Sequence, residues 1–338
     1  MRYAVRFQGE TLEEVTAWAK KVDDAKFDVL WSQELHTSPF VYPAAVAGST
    51  KRIHLGTGIA LAFVRSPMSM ALTTFDLDRL TNGRFILGLG TGVKGLVQRW
   101  HGSTYGTPAP HLKECIQLIR LIMDNAPHGK PIQFKSEYYD VDIRGFSIEH
   151  RIVRPRVPIY AAAIGPGMCR VIGEVADGVL GQIMASIKWA KDVMEPNIRI
   201  GLDRAGRKRE EVTISLTITM ALGKDVKKAR RDLAKTVAFY CTVATYQKLF
   251  EHYGYAKEAA AVREQFIKRG GHGPWCWDLI SDEMVDAFHV SGSADNARKR
   301  LKEYEGIADT VIFTPPNYFL TAEETAEYQK EILATFAR

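Results

Sequence analysis

Arg52-Ile53-His54-Leu55-Gly56-Thr57-Gly58-Ile59-Ala60, a helix-forming stretch from Met68 to Leu80, and Asn82-Gly83-Arg84-Phe85-Ile86-Leu87-Gly88-Leu89-Gly90-Thr91-Gly92-Val93 together decide the fold. Two short apolar strands flank one amphipathic helix, which makes a β-α-β unit. Each strand ends in Gly and Thr residues, small enough to let a planar ligand or a phosphate approach the backbone. The active site is therefore expected at these carboxyl ends.

Working outward, the same period recurs. Tyr3–Phe7 and Asp28–Glu34 read as the first two strands. Thr11-Leu12-Glu13-Glu14 is a capping box opening the helix between them, and Ser38-Pro39 opens the next helix. Beyond the central unit come a Gly/Pro/aromatic loop (Trp100–Pro108), a helix over His111–Asn125, and a hairpin of Ile132–Lys135 with Tyr138–Val141. Ile159–Ala163, Gly178–Ile183, Val212–Ile218 and Asp309–Phe313 supply the remaining strands, and a capping box at Thr321–Glu324 starts the last helix. Eight strands alternating with helices, without any linker-like stretch, predict a single (β/α)8 TIM-barrel domain over residues 1–338. A doubly wound sheet is the alternative architecture.

Composition narrows the function classes. Hydrophobic residues make up 46% and charged residues 25%, as in an ordinary globular enzyme. The formal charge of +6 is spread out, with clusters only at Arg204–Arg209 and Lys227–Arg231, and no nucleic-acid-binding motif accompanies them. A mildly positive surface favours an anionic cofactor or substrate. Cys115, Cys169, Cys241 and Cys276 show no paired spacing, no apolar run is long enough to span a bilayer, and no signal-like run precedes the first strand. The expectation is a cytoplasmic protein with neither a membrane nor a nucleic-acid partner.

Chemistry-bearing motifs are few. Neither H-E-x-x-H nor C-x-x-C occurs, so no metal site is expected, and no G-x-S-x-G elbow marks a nucleophile. Gly88-x-Gly90-x-Gly92 has the wrong spacing for a dinucleotide fingerprint, and glycines making room at a strand end explain it equally well. Ile164-Gly165-Pro166-Gly167 joins a strand to a helix, where free amides and the helix dipole hold a phosphate, unless it is simply a tight turn. Glu34 ends the second strand and His36 follows it; both are candidates for proton transfer, against helix capping or an arginine pair for Glu34. Trp275 and Trp277 lie on a glycine-rich loop that reads either as an aromatic lid or as packed structure.

Taken in order, these stretches resemble the bacterial-luciferase-like superfamily, most closely its coenzyme F420-dependent branch of the methylenetetrahydromethanopterin reductase type. The specific parts are Phe27-Asp28-x-x-Trp31, Ile53-x-Leu55-Gly56-Thr57-Gly58-Ile59, and Asp78-Arg79-Leu80-x-Asn82-Gly83-Arg84-Phe85-x-Leu87-Gly88-x-Gly90. Pro158-Ile159-Tyr160-x-Ala162-Ala163-x-Gly165-Pro166 and Gly173–Gly178 complete the set, which runs over nearly the whole chain.

The resemblance implies a homodimeric barrel with an insertion over about 240–290, and hydride transfer between F420 and a small organic substrate. It further implies a non-proline cis peptide at Gly58–Ile59, with Ala60 beside it, behind the cofactor ring. Cofactor contacts fall at Thr91, Gly92, Val93, Ala163 and Pro166, and phosphate contacts at the backbone of Ile164, Gly165 and Gly167. The sequence departs from the family where many relatives have Asp-His, since Glu34-Leu35 stands there. His36, one residue later, would point to the other side of a continuing strand. The alternatives are an FMN-dependent monooxygenase of the same fold and a non-catalytic flavin-binding protein.

Overall fold

The β-α-β period is present throughout a computed structural model that describes residues 1–338. The chain runs β1 (Arg2–Arg6), α1 (Leu12–Asp24), β2 (Val29–Ser32), α2 (Val41–Val46), β3 (His54–Thr57), β4 (Ala60–Leu61) and α3 (Pro67–Leu80). It continues through β5 (Phe85–Gly90), α4 (Lys94–Trp100), α5 (Pro108–Asn125), β6 (Ile132–Lys135), β7 (Asp140–Ile143), β8 (Ile159–Ala163), α6 (Pro166–Val175) and β9 (Gly178–Gly181). After α7 (Ile187–Trp189) and α8 (Glu195–Ala205) come β10 (Thr213–Leu222), α9 (Val226–Cys241), α10 (Gln247–Tyr253) and α11 (Ala256–Arg269). The chain closes with α12 (Pro274–Trp277), α13 (Asp282–Phe288), β11 (Val290–Gly292), α14 (Ala294–Lys302), β12 (Thr310–Thr314) and α15 (Ala322–Phe336).

Two compact units are distinguished, Arg2–Gly181 with Asp192–Ser215, and Met1 with Gln182–Lys191 and Leu216–Arg338. In the first, β1, β2, β3, β5, β8, β9 and the start of β10 pair side by side, all parallel. Every residue of β2, β5 and β9 is buried, as strands covered on both faces must be, which is why they read as continuous apolar runs. The hairpin β6–β7 is antiparallel and stands apart from that sheet. In the second unit, β10 lies between β11 and β12, and α10 to α13 fill the segment expected as an insertion. No helix is long and apolar enough to cross a membrane, and all four cysteines are buried and free.

The most specific sequence motifs turn out to be scaffold. Asn82 (φ 52°) and Gly83 (φ 79°) turn the chain from α3 into β5. Arg84 then donates to the carbonyl oxygens of Ala47, Thr50, Ile53 and Thr81 and to the Thr50 hydroxyl. Asp78 accepts from Arg154, 2.9 Å away, while Asp177 accepts from Arg120, Arg156 and the Ile159 amide. These groups join successive β-α units where strands begin, away from the ends that bind ligands in such folds.

Glycine also sets the closest helix contact. A Cβ on Gly201 of α8 would sit 2.0 Å from the Arg170 carbonyl oxygen, and one on Gly173 of α6 would sit 2.2 Å from that of Ile198. Backbone against backbone has no side chain to yield, so the helices must separate. Gly201→Ala is expected to lose about 3 kcal/mol, the upper range for over-packing, read from the urea unfolding midpoint.

Local departures from the sequence reading have simple causes. The second strand stops at Ser32 rather than Glu34, because residues 33–37 bend out of the sheet. Lys94–Trp100 is helical although Gly95 lies inside it, and Val290–Gly292 is too short for its period to be read. The capping boxes at Thr11/Glu14 and Thr321/Glu324 form as expected.

Candidate active site

Glu34 is the keystone of the carboxyl end of β2. Its amide donates to the Ile59 carbonyl oxygen at 3.2 Å, and its Oε2 accepts from the Leu61 amide at 2.6 Å. The residue thus straddles the segment Gly58–Ala60, whose Gly58–Ile59 bond is cis, as the resemblance implies. Arg65 completes the arrangement by a two-pronged pair, Nη1 to Oε2 at 2.9 Å and Nη2 to Oε1 at 2.6 Å. Such a fork fixes geometry as well as charge. The Glu34 side chain is only 7% exposed and both its oxygens are engaged. Of the roles open to Glu34 in the sequence, the arginine pair is the one observed.

The glycines of this region are of two kinds. At Gly88 and Gly90 the room is taken by the protein itself: a Cβ would lie 1.9 Å from the Thr57 carbonyl oxygen and 2.7 Å from Ile59 Cγ1, respectively. Gly58 rests on Trp31, and Gly92 (φ 62°) has Leu61 Cδ2 within 2.6 Å of its Cβ position. These residues let β3, β4 and β5 interlock, the space at each Cβ position being taken by the protein itself. At Gly165 and Gly167, by contrast, no atom lies within 4 Å of the Cβ position. Gly165 is the N-cap of α6, Pro166 opens the helix, and no side chain caps its first turn. The first-turn amides of a helix have no partner within it. Open space, unclaimed amides and the positive end of the helix dipole together suit an anion.

The expected cofactor residues come together along one edge. Ala60 pairs with Leu89, the Ala62 amide bonds to the Gly90 carbonyl oxygen, and Leu89 pairs with Ala161. Gly58–Ala60, Thr91–Val93 and Ala163–Gly167 therefore lie at the ends of neighbouring strands. Val93 is exposed and opens α4, whereas Ala60 and Ala163 are buried.

The turn at Gly92 is held from outside by an aromatic stack. Tyr105 donates its hydroxyl to the Gly92 carbonyl oxygen at 3.1 Å, and its own carbonyl oxygen lies 3.0 Å from His111 Nδ1. The His111 ring is sandwiched between Phe63 at 3.8 Å and Tyr138 at 4.1 Å, and its Nε2 meets the Tyr139 hydroxyl at 3.1 Å. Burial lowers the His111 pKa, favouring the neutral ring, and raises that of Tyr139. Burial also pushes the Cys115 thiol, 3.7 Å from the Ala62 carbonyl oxygen, up to about 12, so it packs rather than reacts.

With the strand ended at Ser32, alternation no longer sets His36 opposite Leu35, and both line a cavity of about 270 Å³ together with Glu34, Arg65, Leu61 and His101. Arg65 and His101 were invisible as site residues in the sequence. Only Arg65 had a signal, its place just before the Ser66-Pro67 helix start. Of the tryptophans, in the other unit, Trp277 is packed against Phe319 and a core containing Leu233 and Val285, whereas Trp275 is exposed and donates to the Gly271 carbonyl oxygen. The packed reading is observed for Trp277 alone.

Residues 3–310 match the model of the luciferase-like monooxygenase family. The chain belongs to that family. Within it, a protein of Mycobacterium tuberculosis is 32% identical over 85% of each chain. The 5,10-methylenetetrahydromethanopterin reductase of Archaeoglobus fulgidus is 29% identical, covering 93% of this chain and 94% of its own. The solved coenzyme F420-dependent tetrahydromethanopterin reductase of Methanopyrus kandleri superposes with a TM-score of 0.79 over 99% of both chains at 22% identity. That likeness shows the luciferase-like (β/α)8 TIM-barrel fold expected from the sequence.

Proposed function

We propose that this luciferase-like chain is a coenzyme F420-dependent oxidoreductase that moves a hydride between the deazaflavin and a small organic substrate. The observation that supports it best is the open, uncapped start of α6 at Gly165–Gly167, beside the end of β5, which pairs on its other side with the strands flanking the Gly58–Ala60 segment. The reductases similar to it in sequence and fold, named above, point to the same cofactor.

When bound, F420 supplies the hydride donor or acceptor. The chain's own residues do the rest. The α6 start and the backbone of Ala163–Gly167 would hold the phosphate, while Gly58–Ala60 and Thr91–Val93 would back the ring. Glu34, fixed by Arg65, keeps Gly58–Ala60 in place. His36, open to the cavity, would exchange the proton that accompanies hydride transfer. The same reading takes the protein as a single-domain homodimer, as the resemblance implies, and as cytoplasmic, in keeping with its four free cysteines.

Titration of the cofactor-free protein with F420 and, separately, with FMN, followed by fluorescence, tests this. F420 is expected to bind in the micromolar range or tighter, and FMN at least about tenfold more weakly, a difference of ~1.4 kcal/mol. The reverse preference would replace the deazaflavin by an oxygen-using flavin.

A further inference from the structure

We propose that the cavity beside Glu34 is a subsite for a small organic carboxylate, recognised by His36 and His101. This names a substrate class for the F420-dependent reaction and rests on that reading.

The inference comes from what each lining group has left to offer. Glu34 accepts three hydrogen bonds, two from Arg65 and one from the Leu61 amide, so the cavity's only carboxylate is already neutralised and most of its roughly four acceptor sites are taken. Arg65 uses two N–H groups on Glu34, leaving three of a guanidinium's five. The Ser38 hydroxyl and both imidazoles are without side-chain partners. The groups still available are thus mainly donors, and they call for a ligand that brings acceptors. Leu35, Leu61 and Leu96 form the apolar part of the wall, which suits a short hydrocarbon body. At about 270 Å³ the space lies just under the range for drug-sized ligands, which is ~300 Å³ and upward.

Charge favours the same ligand class. The titratable and charged groups facing the cavity are Glu34, Arg65, His36 and His101. Glu34 and Arg65 cancel, so the charge the cavity can still present to a ligand is the positive charge of an imidazolium, and both imidazoles are exposed. Cofactor binding at the α6 start draws on none of these side chains, so the two sites separate experimentally.

The test uses butyrate and its neutral analogue butyramide, titrated calorimetrically into the full chain with and without F420. Butyrate is expected to bind at least about tenfold more tightly than butyramide, the weight of a charge-assisted contact to the carboxylate. His36→Asn and His101→Asn should each weaken butyrate binding, and the double variant should bind butyrate no better than butyramide, with the melting temperature and F420 affinity retained. Butyrate bound no better than butyramide by the unsubstituted protein, or a preference for butyrate that survives in the double variant, would overturn the subsite while leaving the cofactor reading standing. Failure of the unsubstituted protein to bind F420 would sink the cofactor reading and, with it, this role in substrate recognition.

Discussion

Replacing Glu34 by alanine is expected to destabilise the protein by ~3 kcal/mol and to lower turnover more than about a hundredfold. Arg65 is 27% exposed and Glu34 7%, so the pair is buried enough that removing one partner leaves the other poorly solvated. The Leu61 amide loses its acceptor as well. Misplacement then reaches Gly58–Ala60, which Glu34 grips by its backbone at Ile59 and by its side chain at Leu61. Glu34→Gln separates the two effects, because it keeps an acceptor for Leu61 but loses the charged fork to Arg65. It should fall between the alanine variant and the parent in unfolding midpoint and in kcat. A glutamine variant with unchanged midpoint and kcat would show that the fork holds nothing in place. Arg65→Lys is the complementary probe, since a point charge cannot reproduce the two parallel bonds.

This latch marks the limit of what the sequence discloses. Glu34 and Arg65 are 31 residues apart on different elements, and nothing in either neighbourhood announces the other. Local chemistry was legible. The capping boxes at Thr11 and Thr321 involve residues three apart, and the buried parallel strands appear as apolar runs with no solvent face to interrupt them. The Asp78–Phe85 motif was legible as a resemblance, but its role as a clamp on four carbonyl oxygens depends on where the loop after α2 passes. Alternation would set His36 opposite Leu35 only in a continuing strand, and the strand stops at Ser32, so both line one cavity. His101 gives no signal, since the cavity it lines forms only when α4 folds.

Glycine illustrates the same limit and leads to the second large effect. Gly88, inside β5, and Gly165, just past the neighbouring β8, are the same letter, yet the space beside one is filled by the Thr57 backbone and the other faces open space. Gly165→Asp is therefore expected to leave the melting temperature unchanged or slightly raised, while weakening F420 binding by at least about tenfold, or ~1.4 kcal/mol. The backbone at Gly165 (φ −89°, ψ 158°) is the extended form an N-cap residue adopts, so aspartate fits without strain. Its carboxylate would accept from the first-turn amides of α6, adding a few tenths of a kcal/mol to the helix. Those are the amides a phosphate would need, and the new charge would repel that phosphate as well. Gly88→Ala should behave in the opposite way. Its Cβ collides with main chain that cannot move aside, so it should lose stability whether or not cofactor is present. Fluorescence titration and thermal unfolding of the two variants give the answer together. Undiminished F420 binding by a stably folded Gly165→Asp would remove the phosphate from the start of α6 and require another anion site on this barrel.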